Sequence, residues 1–166
     1  KGGGSWEFKK RLREYWTLEF RDLRFKVSPT NFKHTGLFPE QAANWEFIYD
    51  MIKKDDREIK ILNLFAYAGA ATMVASKAGA KEVVHVDAAK GMVEWAKENM
   101  ALSHLEDNTI RFIVDDCFCD IINLTDCMSG HIKILYRCFS FTYSASITSS
   151  SLFEDESDVA LSEFAL

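Results

Sequence analysis

The sequence predicts an α/β fold built on a parallel sheet, and three observations predict it. Between Lys60 and Val114 short apolar runs alternate with longer amphipathic ones in the order strand, helix, strand, helix, strand, the order that yields parallel strands joined by right-handed crossovers. The chain holds only two prolines and eight glycines, three of the latter in Gly2-Gly3-Gly4, which is too little turn material for a sandwich of many short strands. Its 166 residues match about one domain, and 48% hydrophobic with 27% charged residues is a globular composition, neither fibrous nor disordered.

Taken in order, Tyr15 to Val27 alternates as two short strands, WTLEF and LRFKV, joined by a tight turn at Arg21-Asp22, and so reads as a hairpin preceding the main domain. Ser28-Pro29-Thr30-Asn31 breaks the second strand, and Phe32 to Pro39, with Gly36 and Pro39, reads as a loop. A helix begins near Glu40: Ala42, Trp45, Ile48, Tyr49 and Ile52 recur at helical spacing until the charged run Lys53 to Arg57. Ile61 to Phe65 is a short apolar run suited to a buried strand, followed by an alanine-rich helix over Ala70 to Ala78 with Gly79 as its stop. Val83 to Val86 is the next buried strand. Lys90 to Leu102 is a helix with Met92, Val93, Trp95, Ala96 and Met100 on its apolar side, and Thr109 to Val114 is a third strand. Together these make half of a Rossmann-like domain.

Beyond Phe118 the periodicity weakens. Asp120 to Leu124 fits a short helix and His131 to Phe141 a strand, while Ser140 to Leu166 carries eight serines and an acidic patch at Glu154, Asp155, Glu156 and Asp158, the composition of a loosely ordered tail. The expected organisation is a hairpin and covering loop over 1–39, a partial cofactor-binding domain over 40–136 and a divergent tail over 137–166.

Charge is uneven. Residues 1–40 hold nine Lys/Arg against five Asp/Glu, a balance of +4, and the remainder holds 11 against 20, or -9, for a net -5. Lys9, Lys10, Arg11 and Arg13 can attract phosphate even on an acidic protein, because exposed charges act over about a Debye length of 10 Å. Singly, such a cluster is more often a solvated face. Cys117, Cys119, Cys127 and Cys138 all lie in the last third without paired CxxC spacing, so they read as reduced intracellular thiols. His34, His85, His104 and His131 lie far apart and give a zinc site little support. No run approaches the ~18 apolar residues of a membrane span and none resembles a secretory signal, so a cytoplasmic location is expected.

The chemistry concentrates at strand ends. In LNLFAYAGAAT, Leu62 to Thr72, a strand passes through a small-residue turn into a helix. Such a turn brings backbone N–H groups and the positive helix end up to a ligand, and Ala66, Ala68, Gly69 and Ala70 keep the space open, with Tyr67 the bulky exception. A dinucleotide site wants the three glycines of GxGxxG; only Gly69 is present, so a pyrophosphate fits poorly and a nicotinamide-dependent oxidoreductase is disfavoured. Eighteen residues later Asp87 closes a buried strand, where an acid can bind both hydroxyls of a ribose. The third strand ends in Asp115-Asp116-Cys117-Phe118, where an acid can accept from the exocyclic amine of adenine while an aromatic flanks the ring. Singly, each acid is an ordinary turn or cap residue. Three strand ends in register favour a nucleoside lacking a pyrophosphate.

LNLFAYAGAATMVASKAGAKEVVHVDAAKGMVEWAKENMALS resembles the core of class I S-adenosylmethionine-dependent methyltransferases, in particular the bacterial large-subunit ribosomal RNA methyltransferases whose first motif reads LNLF-[AS]-Y-x-G; GGGSWEF and FKHTGLFPEQAANW extend the likeness over about residues 2–118. The resemblance implies a Rossmann-like methyltransferase fold, incomplete here, with an N-terminal β-hairpin. It implies that Phe65, Ala66, Tyr67 and Gly69 line the methionine and ribose part of S-adenosyl-L-methionine, that Asp87 with Ala88 beside it holds the ribose, and that Asp116 and Phe118 hold adenine. It further implies that Thr35, Gly36, Phe38 and Gln41 close over the cofactor. Asn63 stands where many methyltransferases carry an acid.

The same likeness implies an Asp-Pro-Pro motif after a fourth strand, shaping the pocket for the target base. The strand-like His131 to Tyr136 falls at that spacing, but Arg137-Cys138-Phe139 follows it. A fragment joined to unrelated coding sequence and a shifted reading frame both fit this departure. The chain, which begins at Lys1 without an initiator Met, is therefore expected to be the cofactor-binding half of a larger methyltransferase. The expected function is methyl transfer to RNA, ribosomal RNA in the first place, with the basic N-terminal segment contacting phosphates. The alternative is a non-catalytic module binding S-adenosylmethionine or RNA. No catalytic residue is assigned, and Cys117 and Cys138 read as inert thiols rather than nucleophiles.

Overall fold

The computed structural model describes residues 9–11, 13–29, 35–116 and 131–136. Strands β1 (Trp16–Phe20) and β2 (Leu23–Val27) form the expected antiparallel hairpin, with Phe20 opposite Leu23 across the two-residue turn. Arg21 takes that turn at φ +52, and its guanidinium bonds the Glu46 carboxylate and lies 4.0 Å over the Tyr49 ring, so tertiary contacts hold a backbone setting that a β-unbranched side chain adopts at a cost. Alternation sends Leu23, Phe25 and Val27 inward, each at most 1% exposed, while β1 stays exposed over most of its length.

Pro39–Gln41 forms a single 3-10 turn, and helix α1 (Ala42–Lys54) follows it. The helix therefore begins two residues after Glu40, the start that periodicity suggests. Proline, lacking an N–H, is suited to such a first turn. Trp45, Ile48 and Ile52 recur on one face and are buried, and Trp45 meets Phe20 edge-on at 5.2 Å and Phe25 at 5.9 Å. The hairpin and α1 thus share one core with the sheet.

The sheet is parallel, with strand order β5-β4-β3-β6, where β3 is Ile59–Leu64, β4 Glu82–Asp87, β5 Ile110–Val114 and β6 His131–Tyr136. Helix α2 (Ala70–Ala78) joins β3 to β4, and α3 (Lys90–Leu102) joins β4 to β5, both with the bounds that the sequence predicts. Gly79 ends α2 in the left-handed region at φ +104, the usual glycine stop. Strand β3 ends at Leu64 rather than at Phe65, because Phe65 turns to φ +51 and leaves the extended region. On one face of the sheet Ile59, Ile61 and Val83 join α1, α2 and the hairpin in the main core; on the other, Leu62, Leu64, Val84 and Val86 cluster with Phe65, Ile113 and Ile132. The expected helix at Asp120 to Leu124, the four cysteines, residues 137–141 of the expected last strand and the serine-rich tail lie outside the described residues. Among the described residues no helix is long and apolar enough to cross a membrane.

Candidate functional site

The order β5-β4-β3-β6 creates a switch point. From β3 the chain moves outward to β4 and β5, then returns to pair β6 on the other side of β3. In open α/β sheets the carboxyl ends of strands flanking such a point enclose the ligand crevice. The loop Phe65 to Gly69 leaves β3 at that place.

Its backbone is unusual. Phe65, Tyr67 and Gly69 all have positive φ, at 51°, 52° and 82°. A non-glycine residue in this region costs on the order of 1–3 kcal/mol and persists only where its surroundings over-determine it. Here four hydrogen bonds do so. Ala66 N–H donates to Val86 O at 3.0 Å, Tyr67 N–H to Asp87 Oδ2 at 2.8 Å, Gly69 N–H to Ala66 O at 2.9 Å, and Asn99 Nδ2 to Ala68 O at 2.8 Å. Gly69 is the N-cap of α2 and has no side chain to cap it, so no cap side chain occupies the first N–H groups of the helix. Gly69 is also sterically required: a Cβ there would lie 2.9 Å from Ala96 Cβ and 3.3 Å from Met73 Cε.

Asp87 ends β4 half-buried beside this loop. Besides Tyr67 N–H on Oδ2, its Oδ1 accepts from Ala89 N–H at 2.9 Å. Each carboxylate oxygen keeps a further lone pair, and two acceptors fixed side by side match the two hydroxyls of a ribose. Ala88 follows, exposed and without a bulky side chain. Asp115 N–H donates to Asp87 O at 3.2 Å, which ties the end of β5 to the same edge, and Asp116 is exposed there with its N–H on Asp115 Oδ1 at 2.7 Å. Phe118 lies outside the described residues.

Phe38 comes to the loop: its ring centroid stands 5.3 Å from that of Tyr67. Gly36, Thr35 and Gln41 of the upstream segment have contacts of their own. Gly36 is buried against Trp95, where a Cβ would approach Cζ2 to 2.2 Å; the Thr35 carbonyl accepts from Ser28 N–H at 3.0 Å; Gln41 Oε1 accepts from Asn44 Nδ2 at 2.8 Å.

Two polar supports escape the motif reading. Asn63, Thr72 and His85 form a buried network beneath the loop: Asn63 Nδ2 donates to Thr72 Oγ1 at 2.8 Å, and Thr72 Oγ1 lies 2.9 Å from His85 Nδ1. Burial pushes the His85 imidazole down to about 4, so it is neutral at physiological pH, and its Nε2 has no hydrogen-bond partner among the described residues. The second is Asn99, fully buried on α3. Its signal is present in the sequence, as an amide lying on the apolar stripe of Val93 and Ala96. His85 likewise sits inside an apolar strand.

The chain is similar to known proteins over much of its length. A family profile described as S-adenosylmethionine-dependent methyltransferase matches residues 4–142. This reaches past Phe118, where the motifs alone end the likeness, and takes in β6, whose parallel pairing with β3 is backbone geometry that no side-chain motif reports. The ribosomal RNA large subunit methyltransferase K/L of Shewanella frigidimarina is 37% identical over 94 residues, covering 57% of this chain and 13% of that protein. The crystal structure of the SAM-dependent methyltransferase from Agrobacterium tumefaciens superposes with a TM-score of 0.72 at 41% identity, over 80% of this chain and 43% of that one. A methyltransferase structure complexed with SAH shares the fold, with a TM-score of 0.64 at 21% identity over 77% of this chain and 33% of that one. The chain thus spans a small part of the curated relative and less than half of each solved neighbour.

Proposed function

The chain belongs to the S-adenosylmethionine-dependent methyltransferase family, and from that premise we propose that it is the cofactor-binding part of an enzyme that methylates RNA, ribosomal RNA in the first place, in the cytoplasm. The observation that carries the reading is the Asp87 carboxylate, locked by Tyr67 N–H and Ala89 N–H beside the strained loop at the switch point of the sheet. The residues present fit the cofactor. Asp87 offers two acceptors for the ribose diol; Ala66, Ala68 and Gly69 leave room for the backbone to approach the methionine part; Phe65 and Tyr67 flank it; Asp116, with Phe118 beyond it, stands toward the adenine side. Phe38, its ring tilted against that of Tyr67, covers the loop, with Thr35, Gly36 and Gln41 completing the segment from which it comes.

When bound, S-adenosylmethionine supplies an electrophilic methyl group on a sulfonium. The chain's own contribution is orientation: a rigid loop and a fixed carboxylate hold the donor so that an acceptor can attack in line, the positioning effect that dominates such transfers. Substrate enters from the N-terminal side, where Lys9, Lys10, Arg11 and Arg13 are all exposed and can contact phosphates. In this reading 1–39 supply the hairpin and covering loop, 40–136 hold the cofactor, and the two share one core.

The test is calorimetric titration of S-adenosylmethionine. Asp87→Ala removes the diol acceptors and the anchor of Tyr67 N–H, and each charge-assisted hydrogen bond contributes about 1.5–3 kcal/mol, so binding weakens by at least about tenfold. Unchanged affinity refutes the site. A tritiated methyl donor with bulk ribosomal RNA tests turnover. Arg137-Cys138-Phe139 after β6, where the resemblance expects Asp-Pro-Pro, favours a second reading, a module that binds S-adenosylmethionine or RNA without transfer; binding with no labelled RNA is its signature.

A further inference from the structure

Helix α3 runs along the open edge of β2 and replaces a third strand of the hairpin. Trp95 Nε1 donates to Lys26 O at 3.1 Å; Lys26 N–H donates to Asn99 Oδ1 at 2.8 Å; Arg24 N–H donates to Ser103 Oγ, and the Ser103 hydroxyl donates back to Arg24 O, both at 3.0 Å. The side chains responsible stand four residues apart, and so lie along one face of α3. Of these, Asn99 reaches further. Its Nδ2 donates to Ala68 O at 2.8 Å, and the same peptide unit gives its N–H, on Gly69, to Ala66 O at 2.9 Å. The Ala68–Gly69 peptide is therefore pinned at both ends. The chemistry of its partners also fixes which way the Asn99 amide faces, since a backbone N–H needs the oxygen and a carbonyl needs the nitrogen.

We propose that Asn99 is a positioning residue for cofactor binding: by holding the Ala68–Gly69 peptide against the docked hairpin, it sets the direction of the first N–H groups of α2 and makes that direction depend on β2. The inference rests on the reading of this loop as the S-adenosylmethionine site. Coupling of this kind means that a ligand engaging the hairpin is felt at the cofactor loop through one buried amide.

The test uses S-adenosylhomocysteine titrated into the chain by calorimetry, with the Gly69 amide resonance as a second readout. Asn99→Asp keeps the acceptor toward Lys26 N–H but turns an oxygen on Ala68 O, so affinity drops about tenfold or more and the Gly69 resonance moves. Ser103→Ala removes hairpin anchoring at Arg24 alone; its melting temperature falls while affinity stays within about twofold and the Gly69 resonance stays in place. Should Asn99→Asp fail to fold, Asn99→Ala, which removes the donor without adding a charge, is read in the same way. Wild-type affinity in a folded Asn99 variant, or an equal loss in Ser103→Ala, overturns the proposal and leaves the site reading standing. Absence of binding by the unaltered chain overturns both.

Discussion

Gly69→Ala tests the loop most directly, because two independent features of the structure set its cost. The residue sits at φ +82, where an L side chain costs about 1–2 kcal/mol, and the new Cβ would lie 2.9 Å from Ala96 Cβ, an overpacking that costs typically about 1–3 kcal/mol. The expected loss of stability is therefore roughly 2–5 kcal/mol, or about 4–20 °C in melting temperature for a chain of this size. The two contributions can be separated. Ala96→Gly on its own costs about 1 kcal/mol of helix propensity, but combined with Gly69→Ala it makes room for the Cβ, so the pair should be less destabilising than the sum by about 1–3 kcal/mol. Urea unfolding of the four proteins measures both quantities. A loss below about 1 kcal/mol for Gly69→Ala would refute the strained-turn argument, and additivity within about 0.5 kcal/mol would refute the Ala96 contact.

Further outcomes follow from the buried polar groups and the upstream segment. His85, held neutral down to about 4 against an ordinary 6.5, leaves the unfolded chain binding the extra proton between those values; stability is whole above about pH 6.5 and falls by roughly 3 kcal/mol as pH approaches 4. Unfolding at pH 7.5 and pH 5 in wild type and His85→Gln checks this, and equal pH slopes in the two would exclude His85 as the source. Gly36→Ala should cost roughly 2–4 kcal/mol, because φ is +90 and the Cβ meets Trp95 Cζ2 at 2.2 Å. Adding Trp95→Ala should recover part of that loss relative to Trp95→Ala alone, and a thermal melt showing no such coupling would remove the Gly36–Trp95 contact from the account.

Much of the fold is legible because local chemistry and tertiary structure agree. Ala70–Ala78 is alanine-rich between Gly69 and Gly79, Lys90–Leu102 is striped at helical spacing, and the hairpin turn falls at Arg21-Asp22. The errors are at ends, where tertiary contacts compete with pattern. Pro39 opens a 3-10 turn before α1, and positive φ at Phe65 stops β3 one residue early. The proposed site rests on the same kind of local signal. Gly69 and Asp87 are visible as a glycine in a strand-to-helix turn and an acid at a strand end, types whose chemistry announces them. Asn99 and His85 are not, since a polar residue in an apolar stripe shows that something is satisfied there without showing by what.

Local sequence carries the helices and strands, their parallel sense and the edge proposed to bind a ligand, because periodicity, turn residues and small side chains act over a few neighbouring positions. Only the packed structure shows that both oxygens of Asp87 are already engaged by backbone N–H groups, that Gly36 lies against Trp95, and that Asn99 joins β2 to Ala68. The last pairing spans 73 residues on one side and 31 on the other. A contact of that separation is set by where whole helices and strands come to rest in packing their apolar faces, and no local pattern carries that information.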